Sequence, residues 1–440
     1  MQLLCLSISH HNTPVELREC LSLSSAVVSD VYPQHPIRIE PFAPILEMAI
    51  LSTCNRLEVY ALVSTPEEAG ESSTLTFQPI LNYLREAFDI PTSQIETYFK
   101  PYLGSQTVEH LFQVAAGLDS IAIGETQILG QVSRTLEDAL RIGSARHVLS
   151  SLFRSAIHTG KRVHSETEIG RHPTNISAIA VQFARDSLGS LANQKVLVIG
   201  AGKMGGHAID ALKENGAQEI ILTNRTYQHA SDLVKQMGGS VLSFESLAEG
   251  LVNADLVFAS TSAAMPIIHP DLVAEVMAQR PQKPLMLIDL AVPRNVEPMV
   301  KEIPNVKLFD IDDLQTYVKI AEVSSHPEIE LAKSIVAGEV TDYEKLLQVI
   351  PFIGELHKKI EQIRQHEVER ALRNLRNPDP QVSEQFELFS RALVRKILHE
   401  PTMHLRTESN QETLNDYVDT LTRLFDLSES TANISLQNGD

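Results

Sequence analysis

The hydrophobic and polar positions follow three different patterns along the 440 residues. In the first hundred residues, short apolar runs that are typical of strands alternate with helical stretches. Between residues 195 and 310 buried strands alternate with helices, and beyond residue 313 strand patterns disappear. Because each pattern can bury its own core, the chain is expected to form three structural units.

The N-terminal pattern predicts a small α+β layer. Its expected strands are 3–9, 45–52, 57–63 and 96–101. Its expected helices are 24–32 and 75–88. This βαββαβ order is typical of a split βαβ fold. From residue 105 to about residue 188 the pattern becomes helical.

The central pattern predicts an open, doubly wound parallel sheet of the Rossmann type. An apolar strand at 196–199 leads into a glycine-rich turn and a helix at 208–215. Further strands are expected at 219–223, 255–260, 285–290 and 306–309. Strands that alternate with helices are characteristic of parallel sheets.

The C-terminal pattern predicts a long connecting helix in an all-helical domain. Apolar residues recur between Ile329 and Ile363 in steps of mostly three, four or seven, which gives one helix face an apolar stripe. We expect this stripe to pack on further helices of the same domain and on a second copy of the chain. We therefore place the domains at 1–163, 164–313 and 314–440, the last being a dimerisation domain.

Composition narrows the possible classes of protein. The chain has 37 Lys and Arg against 56 Asp and Glu, a net charge of −19, which argues against a general nucleic-acid binder but leaves room for a local basic face. No apolar run is long enough to span a membrane. The 3 cysteines are too few for a disulfide framework or a zinc site, so we expect no metal and a reducing, cytoplasmic location.

The turn after the strand at 196–199 has the pattern GxGxxG in the context that gives it meaning, between a strand and a helix. The candidate residues for binding a dinucleotide are Gly200, Ala201, Gly202, Lys203, Met204 and Gly205. The next strand ends at Asn224-Arg225-Thr226, where an NAD site would usually place an acidic residue. An Arg between two hydrogen-bonding side chains suits a 2′-phosphate, so NADPH is the expected cofactor.

Cys54 differs from the other cysteines in its neighbours. It follows a predicted strand within Thr53-Cys54-Asn55-Arg56, beside polar and cationic groups that favour a thiolate. Cys5 stands between two leucines and reads as a structural residue, and Cys20 has no catalytic companion. From composition alone, a catalytic and a structural role for Cys54 are both open.

A second segment, residues 117–131, places Asp, Ser, Glu and Gln side chains among glycines and aliphatic residues, which suits the binding of a small polar ligand. With this segment the chain strongly resembles the glutamyl-tRNA reductase family. The stretches that carry the resemblance are 10–19, 52–56, 109–112, 117–131, 160–170, 200–205, 224–226, 289–294 and 398–402.

The resemblance implies reduction of glutamate esterified to tRNA(Glu), with NADPH, to glutamate-1-semialdehyde, the first step of tetrapyrrole biosynthesis. A thiolate would form a thioester, which accepts hydride more readily than an oxygen ester. Cys54 would be the nucleophile and His110 a proton-transfer or positioning residue. Arg56 would pair with the side-chain carboxylate of the substrate. The amino group and the acyl end would be held by Thr53, Asn55, Ser120, Glu125, Thr126, Gln127 and Gln131.

The resemblance also implies partners: charged tRNA(Glu), a second copy of the chain, and a glutamate-1-semialdehyde aminotransferase that takes up the product. Two basic stretches are expected to contact the tRNA backbone. The first contains Arg134, Arg141, Arg146, Arg154, Lys161, Arg162 and Arg171. The second contains Lys358, Lys359, Arg364, Arg370, Arg373 and Arg376.

Two other functions account for part of the sequence. A dehydrogenase of a free small molecule, with a structural Cys54, explains the glycine turn but gives the segment 117–131 no role. An NADPH-sensing scaffold that dimerises through its C-terminal helices predicts that replacing Cys54 leaves function intact.

Overall fold

The computed structural model describes residues 1–21, 45–64, 77–78, 80–84, 96–169, 175–321, 327–375, 379–407 and 411–427. The helix expected at 24–32 lies outside these residues. Of the helix expected at 75–88, the described residues 77–78 and 80–84 are helical. The three kinds of architecture expected from the sequence are confirmed.

The N-terminal unit is built on a four-stranded antiparallel sheet. Its strands are β1 (Gln2–Ser9), β2 (Ile45–Ser52), β3 (Arg56–Val63) and β4 (Lys100–Leu103), in the order β2-β3-β1-β4. Every residue of β3 is buried, because the helices that follow pack on this sheet.

The strand expected at 96–101 was wrong at both ends. Glu96–Tyr98 forms a 3-10 helix, and the strand is Lys100–Leu103. Pro101 usually signals the end of a strand, but β4 lies at the edge of the sheet, where a residue without an N–H is accommodated.

Helices cover the N-terminal sheet and lead into the next unit. They are α1 (Val15–Leu21), α2 (Ser105–Ala115), α3 (Gln127–Ile142) and α4 (His147–Glu166). The next helix, α5 (Ile176–Leu188), packs in the core of the central unit. The carboxylate of Glu47 on β2 accepts hydrogen bonds from three backbone N–H groups at the start of α4 (2.8–3.1 Å), which anchors this helix to the sheet.

The central unit is a six-stranded parallel sheet. Its strands are β5 (Lys195–Ile199), β6 (Glu219–Thr223), β7 (Ser240–Leu242), β8 (Leu256–Ala259), β9 (Leu285–Asp289) and β10 (Val306–Phe309). The described helices around it are α6 (Lys203–Glu214), α7 (Tyr227–Met237), α8 (Leu247–Asn253), α9 (Pro270–Gln279) and α10 (Ile311–Ala321), with 3-10 turns at Phe244–Ser246 and Pro298–Glu302. The strand order is β10-β9-β8-β5-β6-β7, so β6 and β7 lie on one side of β5 and β8 to β10 lie on the other. Open α/β sheets form their ligand crevice at such a switch point, here between β5 and β8.

The C-terminal unit consists of α11 (Pro327–Asn374), α12 (Pro380–Thr407) and α13 (Gln411–Phe425). The apolar stripe of α11 has two partners. Its second half, including Phe352 and Leu356, packs with α12 and α13. Its first half, including Val336 and Tyr343, packs into the core of the N-terminal unit.

The expectation that the α11 stripe meets only C-terminal helices or a second copy was therefore wrong for the first half. The periodicity shows which face is apolar, and it does not show which surface covers that face. The domain limits stay a prediction, and two of them fall inside helices, 163/164 within α4 and 313/314 within α10. Among the described residues, no helix combines the length and the apolar character needed to cross a membrane.

Candidate active site

Cys54 lies in the tight turn that joins β2 to β3. The N–H of Thr53 donates to the carbonyl oxygen of Arg56 (2.9 Å) and closes the turn. The hydroxyl oxygen of Thr53 accepts the N–H groups of Asn55 and Arg56, both at 3.1 Å. A Thr side chain that binds the backbone two and three residues ahead favours such a turn. The sequence thus builds a rigid loop that carries a partly exposed thiol.

A cleft with about 570 Å³ of empty space, including its opening to solvent, surrounds this turn. Eight of the ten predicted catalytic and substrate-binding residues line it, and they are Thr53, Cys54, Asn55, Arg56, Ser120, Glu125, Gln127 and Gln131. The other two, His110 and Thr126, do not line it. The turn and the segment 117–131, which are more than sixty residues apart in the chain, therefore share one cleft.

Glycines fold the segment 117–131 so that its polar side chains reach the cleft. Gly117 and Gly124 have φ angles of +72° and +82°, which side chains rarely adopt, and the N–H of Gly124 donates to the carbonyl oxygen of Gly117 (3.0 Å). A Cβ on Gly124 would lie 2.2 Å from the carbonyl oxygen of Ile169. This compact loop leads directly into α3, whose first turns carry Gln127 and Gln131.

The cleft keeps the Cys54 thiol protonated. Burial raises the pKa of Cys54 to about 11, and the carboxylate of Glu125 acts in the same direction, while Arg18 and Arg56 oppose them. Burial also raises the pKa of Glu125, against the charge of Arg56. The thiol is therefore neutral at pH 7.

Arg56 belongs to a buried ionic network that runs away from the cleft. Its Nη1 atom donates to Glu58 and to Asp119, both at 2.8 Å, and its Nη2 donates to the carbonyl oxygen of Asp119 (2.5 Å). Glu58 is completely buried, and its carboxylate also binds His110 Nε2 (2.8 Å) and the Tyr60 hydroxyl (2.6 Å). The network thus gives Arg56 two acidic partners of its own.

The charges of this network support one another. Burial alone would raise the pKa of Glu58, but His110 and Arg56 lower it to about 2. Burial would likewise raise the pKa of Asp119, yet His11 and Arg56 hold it well below its usual range. The paired acids in turn raise the pKa of Arg56 against the effect of burial.

His110 lies at the far end of this network from the cleft. Its ring stacks on Tyr102, with centroids 4.0 Å apart and the planes 12° apart. Its Nε2 atom is hydrogen-bonded to Glu58, which links it to Arg56. The sequence analysis missed Glu58, although an acidic residue two positions after Arg56 on a strand shares its face and was a usable signal.

The glycine turn after β5 has the geometry of a dinucleotide site. Gly200 has φ +115°, and a Cβ on Gly205 would lie 2.0 Å from the carbonyl oxygen of Gly200. A Cβ on Gly202 would meet nothing within 4 Å, so a ligand can approach its backbone. The side-chain oxygen of Asn224 accepts the N–H of Ala201 (3.3 Å), which ties this turn to the end of β6. These residues fit a pyrophosphate at the N-terminus of α6.

The remaining predicted cofactor residues lie at the carboxyl ends of the strands. Arg225 is exposed directly after β6, and Thr226 precedes α7. Lys203 and Met204 open α6. Met204 and His207 of α6 also line the Cys54 cleft, as do residues at the start of α5. The nucleotide turn and the cysteine cleft therefore adjoin.

Several cleft residues were missed by the sequence analysis, and they are His10, Ile121, Ile128, Asn175, Ile176, Ser177 and His207. His10 is buried, and burial together with His11 and Arg56 lowers its pKa to about 2. The residues of α5 and α6 reach the cleft only because two units pack together, and no local pattern in the sequence signals that.

A doubly wound sheet with a fitted dinucleotide turn beside a polar cleft defines a Rossmann-type oxidoreductase. The family model described as "Shikimate / quinate 5-dehydrogenase" matches residues 182–317. The models "Glutamyl-tRNAGlu reductase, N-terminal domain" and "Glutamyl-tRNAGlu reductase, dimerisation domain" match residues 6–167 and 331–427.

Full-length relatives agree with these matches. The chain is 34% identical over 433 residues to a glutamyl-tRNA reductase of Natranaerobius thermophilus, covering 98% of this chain and 92% of that protein. It is 38% identical over 427 residues to one from a Synechococcus species, covering 96% of each. A solved glutamyl-tRNA reductase from Methanopyrus kandleri is 30% identical, with a TM-score of 0.41 and coverage of 97% and 99%. The chain belongs to the glutamyl-tRNA reductase family.

Proposed function

We propose that this chain reduces the glutamyl group of charged tRNA(Glu) to glutamate-1-semialdehyde and releases the tRNA, using NADPH and a thioester on Cys54. This reaction would be the first step of tetrapyrrole biosynthesis. One observation carries the proposal. The thiol of Cys54 shares a cleft with Ser120, Glu125 and Gln131 on one side and with the helix that follows the glycine turn on the other.

The surroundings of Cys54 suggest how the substrate activates it. A glutamyl ester carries an ammonium group, and Glu125 is the acidic group that both lines the cleft and raises the thiol pKa. Pairing of the ammonium with Glu125 would neutralise that influence and lower the pKa of Cys54. The substrate would then create the thiolate that attacks it.

The acylation step forms one bond and breaks one. The Cys54 sulfur attacks the ester carbonyl carbon, the bond to the tRNA ribose oxygen breaks, and the thiol proton ends on that oxygen. Ser120, Gln127 and Gln131, which line the cleft, would donate hydrogen bonds to the acyl end. Arg56 would bind the substrate while it stays paired with Glu58 and Asp119, so it would act as a fixed positive charge.

When bound, the nicotinamide supplies the hydride that converts the thioester into the aldehyde. The residues of this chain then hold the acyl group and exclude water from it. Ser177 donates to the carbonyl oxygen of Met204 (3.0 Å), which fixes the start of α5 on α6 beside the cleft. The Cys54 sulfur leaves with the electrons of its bond to carbon and regains a proton.

Arg225 supports NADPH as the cofactor. It is exposed at the end of β6, the position at which the 2′ group of the adenosine ribose is recognised in this fold. Replacing Arg225 with Gln should raise the KM for NADPH by about tenfold or more, since a hydrogen bond to a charged group contributes about 1.5–3 kcal/mol. The KM for NADH should change by less than about twofold. Equal effects on both nucleotides would refute this assignment.

The basic face that suits the tRNA lies beside the cleft. Arg134 follows Gln127 and Gln131 on the same side of α3, and it is exposed. Arg146, Arg154 and Lys161 are also exposed. The C-terminal stretch fits less well, because Arg364 is buried between Glu361 and Glu387.

Salt should therefore raise the KM for charged tRNA steeply and leave the cleavage of a small glutamyl ester unchanged. Arg134→Gln should weaken this salt dependence. Arg141→Gln is the matched control on the same helix, because Arg141 is paired with Asp138. An equal salt response of both substrates would contradict a basic docking face.

The α12 helix supports a homodimer. Its exposed apolar residues Val382, Phe386, Phe389, Leu393 and Ile397 follow each other in steps of three and four, which forms one stripe. A second copy is the expected cover for this stripe. A glutamate-1-semialdehyde aminotransferase in the same, cytoplasmic compartment is the expected recipient of the product.

A turnover assay with charged tRNA(Glu) and NADPH tests the proposal. Wild-type protein should form glutamate-1-semialdehyde, and Cys54→Ser should lose at least about a thousandfold in rate, since an unactivated hydroxyl is a weak nucleophile. Cys5→Ser, with its folding checked by thermal unfolding, serves as the control for loss of a thiol, because Cys5 does not line the cleft. Retained activity in Cys54→Ser would instead favour the dehydrogenase of a free small molecule.

A further inference from the structure

The short helix α1 fastens the N-terminal unit to the nucleotide-binding unit through two separate sets of contacts. In the first, Arg18 donates through Nη2 to the carboxylate of Asp312 on α10, whose other oxygen accepts the N–H of Val15 (3.0 Å). In the second, Arg294 after β9 binds Glu19 through both Nε (2.8 Å) and Nη2 (3.0 Å). The first set continues, through Arg18, to the turn that carries Cys54.

Arg18 continues from this junction to the catalytic turn. Its Nη1 atom donates to the side-chain oxygen of Asn55, the residue after Cys54, at 3.1 Å, and its Nε donates to the carbonyl oxygen of Thr13 (3.1 Å). The side chain of Arg18 is 2% exposed, so this guanidinium is fully committed to three partners. A planar guanidinium can make all three bonds at fixed angles, whereas an ammonium group cannot.

We infer that Arg18 is a positioning residue that fixes the Cys54 turn against the nucleotide-binding unit, so that the acylated sulfur and that unit keep one relative placement. The inference rests on the proposed function, in which an acyl group on Cys54 receives a hydride. Arg18 hydrogen-bonds both to Asn55, the neighbour of Cys54, and to Asp312, and so joins the catalytic turn to the nucleotide-binding unit.

Arg18 also has an electrostatic effect that can be measured. Its positive charge lowers the pKa of Cys54, against burial and Glu125, and Arg56 acts in the same sense. His10 and His207 line the same cleft. Loss of Arg18 should therefore raise the thiol pKa, whereas loss of Asp312 should not.

Four variants separate the positioning role of Arg18 from its electrostatic role. One of them, Arg294→Gln, is the control, because it removes the second set of contacts, between Arg294 and Glu19. The first readout is the pH dependence of iodoacetamide labelling of Cys54, followed by peptide mass spectrometry. The second is cleavage of a small glutamyl ester, and the third is turnover of charged tRNA with NADPH. Thermal unfolding verifies that each variant is folded.

Arg18→Gln should raise the midpoint of Cys54 labelling by about one pH unit and slow turnover by about tenfold to a hundredfold. Arg18→Lys keeps the positive charge and loses the planar guanidinium that makes three bonds at once. It should therefore keep the labelling midpoint within about 0.3 pH units and still slow turnover about tenfold. Asp312→Asn should slow turnover about tenfold and leave ester cleavage within about twofold of wild type. Arg294→Gln should leave both rates within about threefold.

An unchanged labelling midpoint in Arg18→Gln, or ester cleavage slowed as much by Asp312→Asn as by Arg18→Gln, would overturn the inference. So would equal turnover in Arg18→Lys and wild type. The labelling experiment needs neither tRNA nor NADPH. If wild type fails to reduce charged tRNA, the proposed function is refuted, while the labelling midpoint still judges the contact between Arg18 and the Cys54 turn.

Discussion

Cys54, the proposed nucleophile, lies in surroundings that hold its thiol in the neutral form. A pKa of about 11 leaves few thiolates at neutral pH, which protects the sulfur from alkylation and oxidation when no substrate is bound. Burial is the main cause of this raised pKa and Glu125 adds to it. In the proposed reaction an ammonium ion would neutralise Glu125, so one carboxylate would link substrate recognition to activation of the thiol.

A substitution of Glu58 tests how much the buried ionic network around Arg56 stabilises the fold. Glu58→Gln should lower the free energy of unfolding at pH 7 by about 1.5–3 kcal/mol, because it removes one of the two carboxylates that balance the buried charge of Arg56 and leaves Asp119 as the other. Urea denaturation measures this change. Glu109→Gln, at an exposed position of α2, should change the stability by less than about 0.5 kcal/mol.

The stabilisation that Glu58 provides should depend on pH. The pKa of Glu58 is lowered from 4.5 to about 2 in the folded protein. Its contribution is therefore present above the unfolded pKa and is lost as the pH falls from about 4.5 toward 2. A difference between wild type and Glu58→Gln that stays constant across this window would contradict the account.

At the scale of elements, the turn between β2 and β3 does most to define the site. Its sequence distinguished Cys54 from the other cysteines, because polar and cationic residues follow an apolar strand there, but it left a catalytic and a structural role open until the family resemblance was considered. The segment 117–131 was likewise recognisable from its composition, although Thr126 does not line the cleft. Periodicity also predicted the sheets, apart from two edge strands. Pro101 obscured the boundary of β4, and the three-residue strand β7 was not predicted, because it is too short to show a pattern.

The parts that sequence could not supply are contacts between distant elements. Glu58 and His110 are 52 residues apart, and α5 and α6 reach the cleft from another unit. A pattern of apolar residues fixes which face of an element is buried, and it leaves open which partner covers it. The first half of α11, which packs on the N-terminal unit, is the clearest case.

Thr53 supplies a prediction about the turn itself. Thr53→Val removes the acceptor of two backbone N–H groups and should lower the free energy of unfolding by about 1–2 kcal/mol, with slower acylation of Cys54. Thr53→Ser keeps the hydroxyl and should stay within about 0.5 kcal/mol of wild type. Denaturant unfolding and ester cleavage provide the two measurements, and equal behaviour of the two variants would show that the hydroxyl does not hold the turn.

At the scale of the whole molecule, one cleft and one long helix connect the three units. The cleft needs the N-terminal and nucleotide-binding units together, since residues of α5 and α6 form part of its wall. The helix α11 connects the N-terminal core to the C-terminal helices. Assembly through α12 would therefore act on the same scaffold that carries Cys54.

The assembly is testable on α12. Phe389 is 69% exposed and lies in the middle of its apolar stripe. Phe389→Glu should convert the dimer to a monomer, because an interface core does not accommodate an unpaired charge. Light scattering measures the mass. Leu388→Glu, one residue away and off the stripe, is the matched control and should remain dimeric; a dimer of unchanged stability in Phe389→Glu would place the interface elsewhere.

The central claim is that Cys54 carries the glutamyl group between its tRNA carrier and the hydride donor. The most direct test is to mix the protein with charged tRNA(Glu) without NADPH, quench in acid, and map the adduct by peptide mass spectrometry. The account predicts one glutamyl group on the Cys54 peptide, none on Cys54→Ser, and its disappearance as aldehyde when NADPH is added. Formation of the aldehyde by a protein that never carries the glutamyl group on Cys54 would contradict it.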